Sequence, residues 1–286
     1  MIDLKIIPTG KVRPAEKRNL GIKESKGSIV AFIDDDAYPD VHWLEYAIRY
    51  FGDDTIGAVG GPGVTPANDP YLARVGGRAY DNILLSGNYR YRYKAGGVKR
   101  DVDDYPSCNL LVRTDILRRI NGYRTDFWPG EDTLLCKDII DSGCRIVYDP
   151  WVVVNHHRRS LFGPHLRQLG RYAFHRGYFV KRYPSNSLRL SYFIPSAFVI
   201  YLLLWPLVLS LTITPESVLW YLQAAFLIPI GFYFALLLLT SFSFNILTWL
   251  LTAAGVFASH VWYGIRFLQG LFAAKAPCEF IGKDHV

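Results

Sequence analysis

Residues 28–36 read SIVAFIDDD, an apolar, β-branched run that stops at three consecutive aspartates. A short run of this kind with a polar boundary reads as a strand. Before it lies a lysine-rich amphipathic stretch at residues 14–26. After it, residues 40–51 place Val41, Leu44, Ala47, Ile48 and Phe51 at the spacing of a helix with one buried face, with Asp40 as its cap. Helix, strand, helix begins an α/β layered sheet, in which the strand at 28–33 is expected to be central, buried and parallel. The alternation continues with strands at 56–59, 109–112, 145–148 and 152–154, a helix capped by Thr114 and a helix over 131–142. Gly60-Gly61-Pro62-Gly63 stops the second strand. Ahead of residue 14 the sequence offers one short strand, 4–7. Residues 66–105 carry many Tyr, Arg and Gly with weak periodicity, and are expected to form an irregular insertion.

Half of the 286 residues are apolar and 15% aromatic, which excludes a disordered or fibrous chain. The net charge of +7 lies wholly in residues 1–190, because residues 191–286 hold three basic side chains against three acids. That basic part faces something anionic, and lipid headgroups or a phosphorylated substrate suit it better than nucleic acid. Cys108, Cys136, Cys144 and Cys278 have no zinc-like spacing and read as small buried side chains in a reducing compartment.

The reason to favour lipid is the C-terminal third. Residues 192–213 contain no charge over 22 positions, enough helix to cross a bilayer core of about 30 Å. Residues 218–240 form a second uncharged run, and 246–265 a third, broken by His260. Two or three spans follow, the third being either a crossing or a re-entrant or interfacial segment. Arg171, Arg176, Lys181, Arg182 and Arg189 crowd the N-terminal side of the first span, which places that side in the cytoplasm. Between sheet and spans, Phe162, Leu166, Leu169, Ala173 and Val180 trace one helical face, and Arg167, Arg171, His175 and Arg182 another, the pattern of an interfacial amphipathic helix. No basic, apolar leader opens the chain, so a cleaved signal peptide is not expected. The expected organisation is an α/β domain over 1–159, an interfacial helix and linker over 160–190, transmembrane helices over 191–272 and a tail over 273–286.

Three clusters could carry chemistry. Asp34, Asp35 and Asp36 repel one another unless hydrated or neutralised by a divalent cation, and Mg²⁺ or Mn²⁺ bound by one or two carboxylates would leave coordination positions for substrate phosphates. The alternative is a solvated acidic turn. Glu131 and Asp132 follow Gly130 into the first turn of a helix, where they serve either as helix-dipole partners or as a general base. Asn155-His156-His157-Arg158-Arg159 follows a strand. Adjacent imidazoles on an extended chain point opposite ways, so at most one histidine faces a given site, as a metal ligand, while the arginines hold a diphosphate or touch lipid.

The order KRNLGI, strand, DDD, GGP, GED, basic strand end, Gln168-x-x-Arg171-Tyr172 and apolar spans resembles the membrane-associated family 2 glycosyltransferases of the GT-A fold, over about residues 11–185. The resemblance implies a partial GT-A domain in which Asp34 and Asp36 hold metal and sugar nucleotide. It implies Asp132 as catalytic base with Glu131 beside it, and donor contacts from Asp35, Arg18 and Asn19. Gln168, Arg171 and Tyr172 match the family's Q-x-x-R-W segment, and together with His156, His157 and Arg158 they are the candidates for acceptor or diphosphate. Tyr172 stands where processive members have Trp, which argues against a processive polymerase. The implied reaction is inverting, metal-dependent transfer from a nucleoside-diphosphate sugar to a lipid-linked or cell-surface glycan acceptor at the cytoplasmic face. Such enzymes begin with a nucleobase-binding strand, helix and strand that this sequence does not show. A chain complementing that segment is therefore an expected partner, and a non-catalytic subunit of a split transferase is the alternative.

Overall fold

The computed structural model describes residues 4–211 and 217–275, which fall into two compact units. Among the described residues, one unit comprises the chain up to Val64, Lys94–His156, Ala274 and Lys275, and the other comprises Thr65–Tyr93 and His157–Ala273. The first opens with α1 (Pro14–Glu24), β1 (Ile29–Ile33), β2 (Ala37–Pro39), α2 (Trp43–Ile48), β3 (Ile56–Gly60) and β4 (Gly63–Val64). The chain then contributes α3 (Tyr71–Asp81) and α4 (Ile83–Ser86) to the second unit. It returns for β5 (Arg100–Val102), β6 (Asn109–Arg113), α5 (Thr114–Arg119), α6 (Glu131–Asp141), β7 (Arg145–Tyr148) and β8 (Val154–His156). The second unit is completed by α7 (Gly163–Arg182), α8 (Pro184–Ser187), α9 (Leu190–Ser210), α10 (Val218–Ser241) and α11 (Ile246–Phe272).

The first unit has a five-stranded sheet in the order β1-β6-β3-β7-β5 and a three-stranded sheet in the order β2-β8-β4. Only the β3–β7 pair of the larger sheet is parallel; β6 runs antiparallel to both β1 and β3, and β5 to β7. The strand at 28–33 is therefore an antiparallel edge strand, not the central parallel strand expected from its composition. A β-branched apolar run fixes an extended backbone and a buried face, whereas neighbour and direction depend on where distant chain returns. Its burial shows the difference: Phe32 is buried and Ala31 exposed. No strand forms at 4–7, where Lys5 instead pairs with Glu24 at 2.5 Å on the surface.

The core between sheet and α2 consists of Trp43, Ala47, Ile56, Val59, Leu111, Val147, Val152 and Val154. Buried Asn109 ties it together, accepting from Trp43 Nε1 at 2.8 Å and donating to the carbonyls of Gly61 at 2.6 Å and Val152 at 2.7 Å. Gly61 is required there, because a Cβ would sit 1.9 Å from the Val152 carbonyl oxygen.

Part of the expected irregular insertion is helical in the second unit. Gly76 and Gly77 weaken the helix signal of residues 71–81, yet they admit close neighbours: a Cβ on Gly77 would meet Thr65 Oγ1 at 2.1 Å. In α7 the apolar face is covered by α11. Leu169, Ala173 and Val180 are buried, and Gly170, Gly177 and Gly270 bring the two backbones together. The helices α9, α10 and α11 are each long and apolar enough to cross a membrane.

Candidate active site

The triple aspartate forms the turn between β1 and β2, closed by a hydrogen bond from the Ala37 N–H to the Asp34 carbonyl at 3.1 Å. Strand β2 then pairs antiparallel with β8 so that Ala37 lies opposite His156. This register brings a histidine 120 positions away onto the acidic turn: His156 Nε2 is 3.1 Å from Asp36 Oδ1. Ligand atoms of Asp34, Asp36 and His156 lie within 4.8 Å of one another, and all three residues are half-buried. Asp35 is exposed and stands outside this group. Two carboxylate oxygens and an imidazole nitrogen could together hold a divalent cation such as Mn²⁺, whose opposed ligands stand about 4 Å apart, whereas Mg²⁺ would draw on the carboxylate oxygens.

Arg18, on α1, binds the site together from the other side. Its guanidinium reaches Asp34 at 2.9 Å, Glu131 at 3.1 Å and Asp132 at 3.3 Å. Gly130, at φ 119°, turns the chain into α6 so that both acids stand in its first turn. Ser107 donates to Asp132 and exchanges a 2.6 Å hydrogen bond with the Tyr123 hydroxyl, while the Tyr123 ring lies under Arg18. Asn19 braces this arrangement through the Tyr123 backbone, donating to its carbonyl at 2.8 Å and accepting from its N–H at 2.7 Å.

Burial pushes the Glu131 carboxyl up to about 7, with the neighbouring Asp132 charge adding to it and Arg18 opposing. Asp132 is also raised by burial, against the pull of Arg18 and Ser107. Burial works against the Arg18 charge, but Asp132, Tyr123, Asp34 and Glu131 outweigh it and raise its pKa. The Glu131 side chain is 7% exposed and that of Asp132 22%, so Asp132 is the less enclosed of the two by surface area.

The sequence-derived candidates thus divide. Arg18, Asp34, Asp36, Glu131, Asp132 and His156 converge, and Asn19 supports them from behind. His157 and Arg158 belong to the second unit, where buried Asp69 accepts from the Arg158 N–H at 3.1 Å and pairs with His157 Nδ1. Arg158 lies over the rings of Tyr80 and Tyr93. Gln168, Arg171 and Tyr172 lie on α7 in that unit, with Tyr172 half exposed. Ser107 and Tyr123 escape sequence reading, since a lone Ser before a strand and a lone Tyr after a glycine carry no motif.

With this geometry in place, known proteins give its kinship. Residues 2–120 match the family described as Glycosyl transferase family 2. This stretch is a family 2 glycosyltransferase domain. The pre-mycofactocin glycosyltransferase of Mycobacterium tuberculosis (strain CDC 1551 / Oshkosh) is 30% identical over 149 residues, which cover 51% of this chain and 30% of that protein. Glycosyltransferase AglE of Haloferax volcanii is 28% identical over 151 residues, 53% of this chain and 46% of the relative. The chain thus spans about a third to a half of the length of these relatives. Among solved structures, the mannosyltransferase PcManGT from Pyrobaculum calidifontis, in complex with GDP-Man and Mn²⁺, superposes with a TM-score of 0.53 at 20% identity, over 87% of this chain and 66% of that one. That likeness shows a shared GT-A-like fold in the N-terminal half of a chain that continues into three long apolar helices.

Proposed function

We propose that this chain is an inverting, metal-dependent hexosyltransferase of the cell membrane, moving a sugar from a nucleoside diphosphate to a lipid-linked or cell-surface glycan acceptor at the cytoplasmic face. The observation that carries the reading is the convergence of Asp34, Asp36 and His156 beside the Arg18–Glu131–Asp132 cluster. Asp34, Asp36 and His156 would hold Mn²⁺ or Mg²⁺, which when bound neutralises the charge of a diphosphate leaving group. Asp132 accepts the proton of the acceptor hydroxyl as its oxygen bonds to the anomeric carbon and the bond to the diphosphate breaks. That single displacement inverts the carbon. Arg18 and Ser107 both contact Oδ1 of Asp132, which orients the carboxylate and favours its ionised form. The basic residues ahead of α9 set the cytoplasmic orientation.

The test is the full chain in lipid nanodiscs, given GDP-mannose and other nucleotide sugars with Mn²⁺ and a bacterial or archaeal lipid extract. Release of nucleoside diphosphate that stops on chelation and in Asp36→Asn supports the reading. The absence of metal-dependent release from every donor overturns it.

A further inference from the structure

We infer that α7 and α11 form a single in-plane amphipathic pair seated in the headgroup layer of an anionic bilayer, and that of the three long apolar helices only α9 and α10 cross. This inference does not depend on the transfer reaction proposed above.

The first observation is how closely α7 and α11 are joined. They run side by side in the same direction: Leu161 packs on Gly255, Gly170 on Trp262, and Phe174 on Gly270, and Lys181 Nζ donates to the Ala273 carbonyl at 3.2 Å. A Cβ on Gly177 would lie 2.1 Å from the Phe267 carbonyl oxygen, so the backbones touch and the helices share one orientation in the membrane. Were α11 upright in the bilayer, α7 would stand upright beside it. The exposed stripe of α7 carries Arg167, half-buried Arg171, Lys181 and Arg182, a row of charges that hydrocarbon does not accommodate.

The second observation is where α11 meets the other two helices. It touches α9 between Phe193 and Val199 and α10 between Tyr233 and Phe242, the adjoining ends of the hairpin. Beyond these ends, α9 and α10 pair with each other through Tyr201 and the Phe226 carbonyl at 2.7 Å, and through Gln223 and the Val208 carbonyl at 2.7 Å. A third upright span would run along its partner's length, whereas α11 passes across the base. Its burial agrees: 33% of its most apolar window is enclosed, against 11% in α9 and 6% in α10.

The third observation is the surface the pair presents. Exposed positions of α11 include Leu247, Leu250, Ala254, Trp262 and Phe272 on one largely apolar stripe, of which Gln269 is the polar member. An apolar stripe beside a basic one is the signature of a helix surface lying at the boundary between acyl chains and anionic headgroups.

Two measurements on the full chain in bilayers test this. Epitopes at the two chain ends should be cleaved together by protease in sealed inverted vesicles, since two crossings return the chain to its starting side; cleavage of one alone means three crossings and overturns the inference. Spin labels on single cysteines at Leu250, Trp262 and Phe272, with native cysteines replaced, should report one shared depth, shallower than a label at Leu204 in α9. A label at Trp262 as deep as that at Leu204 shows a crossing or re-entrant helix and also overturns it. The epitope measurement keeps every native residue and stands if the cysteine replacements fail to fold.

Discussion

Asp132 and Glu131 are adjacent in one helical turn, and their environments separate their roles. Asp132 is the less enclosed by surface area, and Arg18 and Ser107 favour its ionised form against the opposing effect of burial, as the proposed base requires. Asp132→Asn should leave metal-dependent donor binding intact and lower sugar transfer about 100-fold or more, the scale of a lost general base. Transfer within threefold of the parent would reduce Asp132 to a helix cap. Glu131 is the buried partner, and its consequence is in stability. With its carboxyl raised from 4.5 to about 7, the folded state binds the extra proton in that window, so stability falls as pH rises from about 4.5 to about 7. Glu131→Gln should remove that part of the decline, so thermal melts of the variant should show a flatter dependence of Tm on pH. An unchanged slope would mean that Glu131 titrates normally.

Among the elements, the β2–β8 pairing and the α7–α11 contact determine most. The pairing of Ala37 with His156 brings the imidazole to Asp34 and Asp36 and so completes the proposed metal-binding set, and neither strand exceeds three residues. His156→Ala should therefore weaken Mn²⁺ binding without loss of the larger sheet, measurable as a smaller Mn²⁺-induced rise in Tm than in the parent. In the helical unit, Gly177→Leu forces side chain into the Phe267 and Leu271 backbone and should destabilise that unit by about 1 to 3 kcal/mol or more. Gly231→Leu in α10, where no atom lies within 4 Å of an added Cβ, is the control and should leave the melting curve in place. Equal effects at both positions would show that α7 and α11 are not in close contact.

For the whole molecule, charge is distributed by unit. Thr65–Tyr93 and His157–Ala273 together hold 13 Arg and Lys against three acids, so the excess positive charge belongs to the unit with the apolar helices. Membranes washed at alkaline pH should retain the chain, because α9 and α10 each carry more than 20 residues without charge. Release into the supernatant would contradict any crossing.

The sequence by itself determined what depends on neighbours along the chain. The strand ending in Asp34-Asp35-Asp36, the helix opening at Glu131 and the uncharged runs of α9 and α10 all follow from local periodicity, turn chemistry and length. So did the expectation that only one of His156 and His157 joins a given cluster, since alternation on an extended chain is a local property. Tertiary structure alone decided the partners. The direction and edge position of β1 depend on β6 returning some 80 residues later. Ser107 and Tyr123 enter the site only because Asp132 arrives beside them, and Gly77 in α3 is explained only by Thr65, which leaves no room for a side chain there. The apolar face of α7 was legible, but not its cover. Hydrophobicity has magnitude without direction, so a stripe that signals burial fits lipid, a sheet or another helix equally, and only the close approach of Gly170, Gly177 and Gly270 assigns it to α11.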